Sequence, residues 1–257
     1  MSVSRTHASF LRIQQGETML FKRQLLQEFT RFGNKWSAMV RRMHENIGAT
    51  EDFTYTLLNE HADRLREIVR RNDVRIMRAI HSRQMEMLGE KGGSSLDRSL
   101  RSQYADMATR LSQNAVAGTR SRTQSVLNRG LAMVSEDAEP DRGIAYVRER
   151  LLGGMGRNRV RTIAETEGHR AGNAAIELIG NAFGDRGWKQ WQTRKDGRVR
   201  PSHRAVRNVV KHTGETFKVG DSQLLHPGDP NGPAKEVINC RCYLRVTARR
   251  PRNARSQ

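Results

Sequence analysis

The chain has little cysteine, few aromatic residues, few acids relative to its bases and no long apolar run. Two cysteines among 257 residues do not make a disulfide framework, so a reduced, cytosolic setting is the expectation. Nowhere do apolar residues approach the ~20 in succession that a membrane span needs. The opening Met1-Ser2-Val3-Ser4-Arg5-Thr6-His7 lacks the apolar core of a secretory signal. A soluble protein made in the cytoplasm is expected. Aromatics at 5% argue against stacking platforms for unpaired bases. Bases outnumber acids 46 to 27, a net charge of +19. That excess favours a polyanion or an acidic protein surface as partner, and duplex backbone contact fits better than single-strand readout. Merely solvated arginines satisfy the same count.

What is present is mostly helix. Phe10, Ile13, Leu20, Phe21, Phe29, Phe32, Trp36, Met39, Met43 and Ile47 recur mainly in steps of three, four or seven, one face of a helix. Gly16 and Gly33 are expected to break or kink it. A second helix is expected to start at Thr50 as N-cap and to stop before Gly92-Gly93-Ser94-Ser95. A third carries a narrow stripe of small residues suited to close helix packing or to neighbouring subunits. After a break near Pro140, further helix resumes through a Gly153-Gly154-Met155-Gly156 joint.

Beyond Gly180 the period changes. Trp188 to Gln192 reads as a strand, and Thr193 to Arg200 as a hairpin tip. Pro201 opens a short helix that Gly214 ends. Short strands flank Gly220-Asp221. A last strand from Val237 to Val246 places Ile238, Cys240, Cys242, Leu244 and Val246 on one face. The tail from Arg249 to Gln257 is basic, apolar-poor and expected to be disordered in isolation. Its Arg249, Arg250, Arg252 and Arg255 are candidate DNA-phosphate contacts.

Cys240 and Cys242 are candidate zinc ligands. On a regular strand their sulfurs stand ~7 Å apart, too far for two Zn–S bonds of ~2.3 Å, so a bulge or turn is required. His203 is the candidate third ligand, and Asp196 or His226 the fourth. Any such zinc is structural, stapling a small domain with little core. The alternation supports equally two small cysteines in a core face. His203 with Asp196 also suggests a catalytic base and its orienter, but no nucleophile stands nearby. Glu165-Thr166-Glu167 lies within a helical pattern and reads as a salt-bridging face with Arg159, Arg161 and Arg170 in range. The glycines at 153–156 follow no strand and precede no Gly-Lys-Ser/Thr, so no phosphate loop is expected.

Taken in order, these pieces resemble the phage head morphogenesis domain of the Mu-F-like minor head protein family. The resemblance rests on Arg161-Thr162, Thr166-Glu167, Asn173 and Ala174, then Trp191 (or Trp188), Thr193, Asp196, Arg198, Val199, Arg200 and His203. Phe217 to Gly220, Pro227 to Pro230 and Asn239-Cys240-Arg241-Cys242 follow. Together they cover about residues 160–246. The chain departs from the fuller metal set of some members. Arg200 replaces the first cysteine of a Cys-x-x-Cys, and His226-Pro227 lies well upstream of Cys240, which leaves three ligands.

The fold expected is α+β: a helical region over 1–140 for portal, capsid or self-association, a small mixed domain with short antiparallel strands over 141–248, and the basic tail 249–257. The resemblance implies a non-enzymatic minor head protein of a tailed phage, present in several copies in the virion at the head interior or portal vertex. Its implied partners are the portal protein, a major capsid or scaffolding protein and double-stranded DNA held by non-specific backbone contact; no membrane is involved. One structural zinc is the only cofactor considered. The alternatives are a metal-dependent nuclease using Asp196 and His203, and a plain basic DNA-binding protein.

Overall fold

The computed structural model describes residues 3–88, 95–137, 140–194, 196–251 and 255. Long helices are followed by a small region of short antiparallel strands, an α+β chain. By contact the residues fall into two compact units: Met1–Thr18, Arg71–Leu111 and Glu165–Gln257 in one, Met19–Arg70 and Ser112–Ala164 in the other.

The second unit is helical. It takes its residues from α1 (Val3–Met43), α2 (Ile47–Leu88), α3 (Ser95–Asp137), α4 (Pro140–Leu152) and the start of α5 (Gly154–Asn181). Phe21, Leu25, Phe29, Phe32, Trp36, Leu58, Leu65, Leu127, Val147 and Val160 form its core. Phe21, Phe29, Phe32 and Trp36 come from the expected stripe of α1, but Leu20 of that stripe is exposed while Leu25, outside it, is buried; α3 adds Leu127, Leu131 and Val134. Two local expectations change. Gly33 does not break α1, which runs through it; it lies beside Leu152, where a Cβ would stand 3.5 Å from Cδ1, an ordinary contact. The cap of α2 is Asn46, whose Oδ1 accepts the Ala49 N–H at 3.1 Å. Thr50 sits inside the helix and turns its hydroxyl onto the carbonyls of Met43 and Asn46. Met19 is exposed.

In the first unit a three-stranded sheet has the order β2-β1-β5. Central β1 (Trp188–Gln192) runs antiparallel to β2 (Val210–His212) and to β5 (Tyr243–Thr247), with Trp191 opposite Leu244. β3 (Phe217–Val219) and β4 (Ser222–Leu224) form a separate hairpin about Gly220, whose φ is +58°. Two short helices, α6 (Pro201–Ala205) and α7 (Ala234–Val237), each begin just after or at a proline, which presets the backbone for a first turn. Residues 193–200 are therefore not a hairpin tip: they turn at Asp196 and lead into α6.

Helix α5 organises this unit. Its small residues Ala171, Ala174 and Ala175, with Ile176 and Ile179, share a core with Trp191, Phe217, Leu224, Leu244 and Val246. At Gly180 a Cβ would meet Thr213 and Val246 at 2.7 and 2.8 Å, so only glycine lets helix and sheet approach there. Polar side chains complete the docking. Asn173, fully buried, donates to the carbonyls of Pro227 and Cys242 (both 3.1 Å) and accepts the Leu244 N–H at 2.8 Å. Arg170 donates to Gly228 O at 2.9 Å and pairs with Glu167 at 2.9 Å, the ion pair expected of the Glu165–Glu167 stretch. Buried Lys189 reaches Glu177 at 2.7 Å and Leu225 O at 2.8 Å.

Candidate metal centre

The expected final strand begins only at Tyr243. Val237 ends α7, and Asn239 takes a φ of +56°, a left-handed conformation that asparagine tolerates better than most residues. Its N–H donates to Thr166 Oγ1 of α5 at 3.1 Å, and Cys240 N bonds Val237 O at 3.2 Å. The chain therefore turns instead of extending through Cys240. This is the turn that joint ligation by two cysteines one residue apart requires. Burial still alternates from Cys240 to Val246, while Ile238 is exposed.

The turn brings Cys240 and Cys242 to His203, carried on α6. The two sulfurs and a ring nitrogen all lie within 4.8 Å of one another, and all three residues are buried. His203 Nδ1 stands 3.3 Å from Cys242 Sγ and 3.6 Å from Cys240 Sγ. A tetrahedral zinc with bonds near ~2.3 Å to sulfur and ~2.0 Å to nitrogen holds N and S about 3.6 Å apart. The donor set and spacing fit three of the four positions of such an ion. The Trp191 ring meets the His203 imidazole edge-on at 5.5 Å. Hydrogen bonding from Cys242 holds the Cys240 thiol well below the usual thiol range despite its burial. The Cys242 thiol is pushed up by the bond it gives to Cys240, by burial and by its partner's charge. A metal ion would bind both cysteines as thiolates and displace their protons.

The other ring nitrogen of His203, Nε2, lies 3.0 Å from Glu236 Oε2, and Ser202 Oγ donates to the same oxygen at 2.8 Å. Neither Glu236 nor Ser202 was singled out from the sequence. Reading residues 237–246 as one strand obscured the short helix that turns Glu236 inward.

The two candidate fourth ligands lie outside the cluster. Asp196 is exposed, accepts the Arg198 N–H at 3.1 Å and pairs with the Arg241 guanidinium at 2.9 Å. His226 is buried with Nδ1 at 3.1 Å from Pro227 O. Asp196 and His203 therefore do not form a base and its orienter: their hydrogen bonds go to different groups. In the tail, Arg249 and Arg250 are exposed, and Arg250 lies 5.4 Å over the Trp188 ring. Exposed Arg255 is held through its backbone, as a parallel bridge with Val209 and by bonds to Asn208 O and Val210 N. Arg252 lies outside the described residues. No described helix is long and apolar enough to cross a membrane.

The family described as Phage Mu protein F like protein matches residues 23–245, well beyond the stretch that carries the motifs. No curated protein and no solved structure matches the chain.

Proposed function

The chain belongs to the Phage Mu protein F like family, and on that premise we propose that it is a minor structural protein of a tailed-phage head. The family match across residues 23–245 is the observation that carries this reading. In it, residues 1–140 dock on the portal protein, on a major capsid or scaffolding protein, or on further copies of the chain. Residues 141–248 form the head morphogenesis domain and face DNA or the capsid interior. The protein enters the virion in several copies and assists head assembly, DNA packaging or DNA delivery. Its net charge of +19 and the tail arginines Arg249, Arg250, Arg252 and Arg255 suit non-specific contact with duplex phosphates. Mass spectrometry of purified particles tests the reading. The protein is expected among the virion proteins, and its absence from every particle would sink the assignment.

Within this reading His203, Cys240 and Cys242 hold one structural zinc. The ion ties α6 to the turn before β5, in a region whose core is shared among short strands. Elemental analysis of the full chain is expected to give close to one zinc per molecule, and close to none for Cys240→Ser.

A further inference from the structure

We propose that Glu236 is the positioning residue of this centre. It fixes the tautomer of His203 so that the Nδ1 lone pair faces the two sulfurs, and Ser202 in turn fixes Glu236. The inference rests on the metal reading of the same three ligands. Nε2 of His203 faces the carboxylate at 3.0 Å while Nδ1 faces the sulfurs at 3.3 and 3.6 Å. A carboxylate accepts hydrogen bonds only, so the proton of the neutral ring goes to Nε2. Nδ1 is then left as a lone pair, the form in which histidine binds a metal. With the carboxylate removed, the two tautomers compete and the ring loses its orienting bond.

The surroundings of Glu236 support this role. The residue is buried, and its side chain bonds His203 and Ser202. A buried carboxylate needs compensating positive charge. A metal ion on the far side of the imidazole supplies it through the ring. The turn between β3 and β4 leaves room for the second carboxylate oxygen: a Cβ at Gly220, whose φ is +58°, would stand 3.4 Å from Glu236 Oε1. Arg200 donates to the carbonyls of Glu236 and Ile238 at 3.4 and 2.5 Å, which secures the end of α7 without using the carboxylate.

The test is titration of the metal-stripped full chain with Co(II), followed by competition for Zn(II) against a chromophoric chelator. The proteins compared are the unaltered chain, Glu236→Gln, Glu236→Asp, Ser202→Ala and Cys240→Ser. The unaltered chain is expected to take up one Co(II) with a sulfur-to-cobalt charge-transfer band. Glu236→Gln keeps that band and the stoichiometry, because both sulfurs remain, but binds Zn(II) roughly 10–100-fold more weakly, the usual effect of losing an outer partner. Glu236→Asp recovers part of the loss, and Ser202→Ala gives a smaller loss of the same kind. Cys240→Ser weakens the band itself. If Glu236→Gln lowers thermal stability equally with and without metal and binds Zn(II) within about twofold of the unaltered chain, the residue is merely structural and the inference falls while the metal site stands. If the unaltered chain binds neither ion, the metal reading fails and the inference falls with it.

Discussion

The two units of this molecule are held together differently. The helical unit is stabilised chiefly by apolar stripes meeting in one core, from Phe21 and Leu25 through Trp36 to Leu131 and Val160. Among its buried polar groups, Glu28 pairs with Arg31 at 2.6 Å and with His61 at 2.9 Å, the imidazole stacked on Phe32. In the other unit, side chains of α5 and β1 bind backbone groups and buried charges directly. Asn173, Arg170, Thr166 and the Lys189–Glu177 pair tie strands of three to five residues to one helix. Short strands bury too little apolar area to fix their own position, so directional bonds do it. The comparison teaches where each unit is vulnerable: the first to lost contact volume, the second to the loss of a single polar atom.

Substitutions can break this contrast. Asn173→Ala strands the Cys242 carbonyl and the Leu244 N–H in a buried site and takes one of two partners from Pro227 O, and at ~1–3 kcal/mol per unsatisfied group it should cost about 4 kcal/mol. Urea unfolding followed by tryptophan fluorescence would read the loss, and a cost below about 1 kcal/mol would show that apolar packing suffices here too. In the helical unit Leu65→Ala leaves a cavity and should cost about 3 kcal/mol by the same method. There a conservative Leu65→Met should cost under about 1.5 kcal/mol, a tolerance that no exchange at Asn173 would enjoy.

Acid sharpens the contrast further. Burial, and then the charges of Arg194 and Arg241, push the His169 imidazole down to about 3. Its Nδ1 has no hydrogen-bond partner among the described residues. The unfolded ring titrates near ~6.5, so the folded state holds fewer protons. The stability from this group is complete above that value and drains away as pH falls from about 6.5 towards 3. Between pH 7 and 4.5 the loss should be roughly 2.5 kcal/mol. His169→Gln should flatten that part of the stability–pH curve, and an unchanged slope would contradict the account. The smallest effect belongs to the cap of α2: Asn46→Ala should lower stability by about 1 kcal/mol, visible as a shift of a few degrees in a thermal melt.

The same contrast explains what could be read before folding. Helix stripes were legible because a period of 3.6 survives in the sequence wherever burial is apolar and one-sided. Gly33 misled because the roughly 1 kcal/mol that one glycine costs a helix is outweighed by burial of Phe29, Phe32 and Trp36 on either side of it. Strand β1 was legible to the residue. The stretch 237–242 was not, since its alternation of buried side chains comes from a turn at Asn239 wrapped around the His203 cluster rather than from a pleat. The metal-ligand trio was legible as residue types, and the need for a turn followed from sulfur spacing alone. Glu236 was hidden because a glutamate three residues after a proline turn looks like any solvated acid until α7 points it inward.

The division of the chain into interleaved units also bears on the order of synthesis. Every residue of the helical unit has been made once Ala164 leaves the ribosome, so its core can close on the nascent polypeptide. The other unit draws on Met1–Thr18 yet depends on Tyr243–Thr247. Ile13 packs against a core that includes Leu244 and Val246, so this contact has to wait more than two hundred residues of synthesis for the strand that completes it.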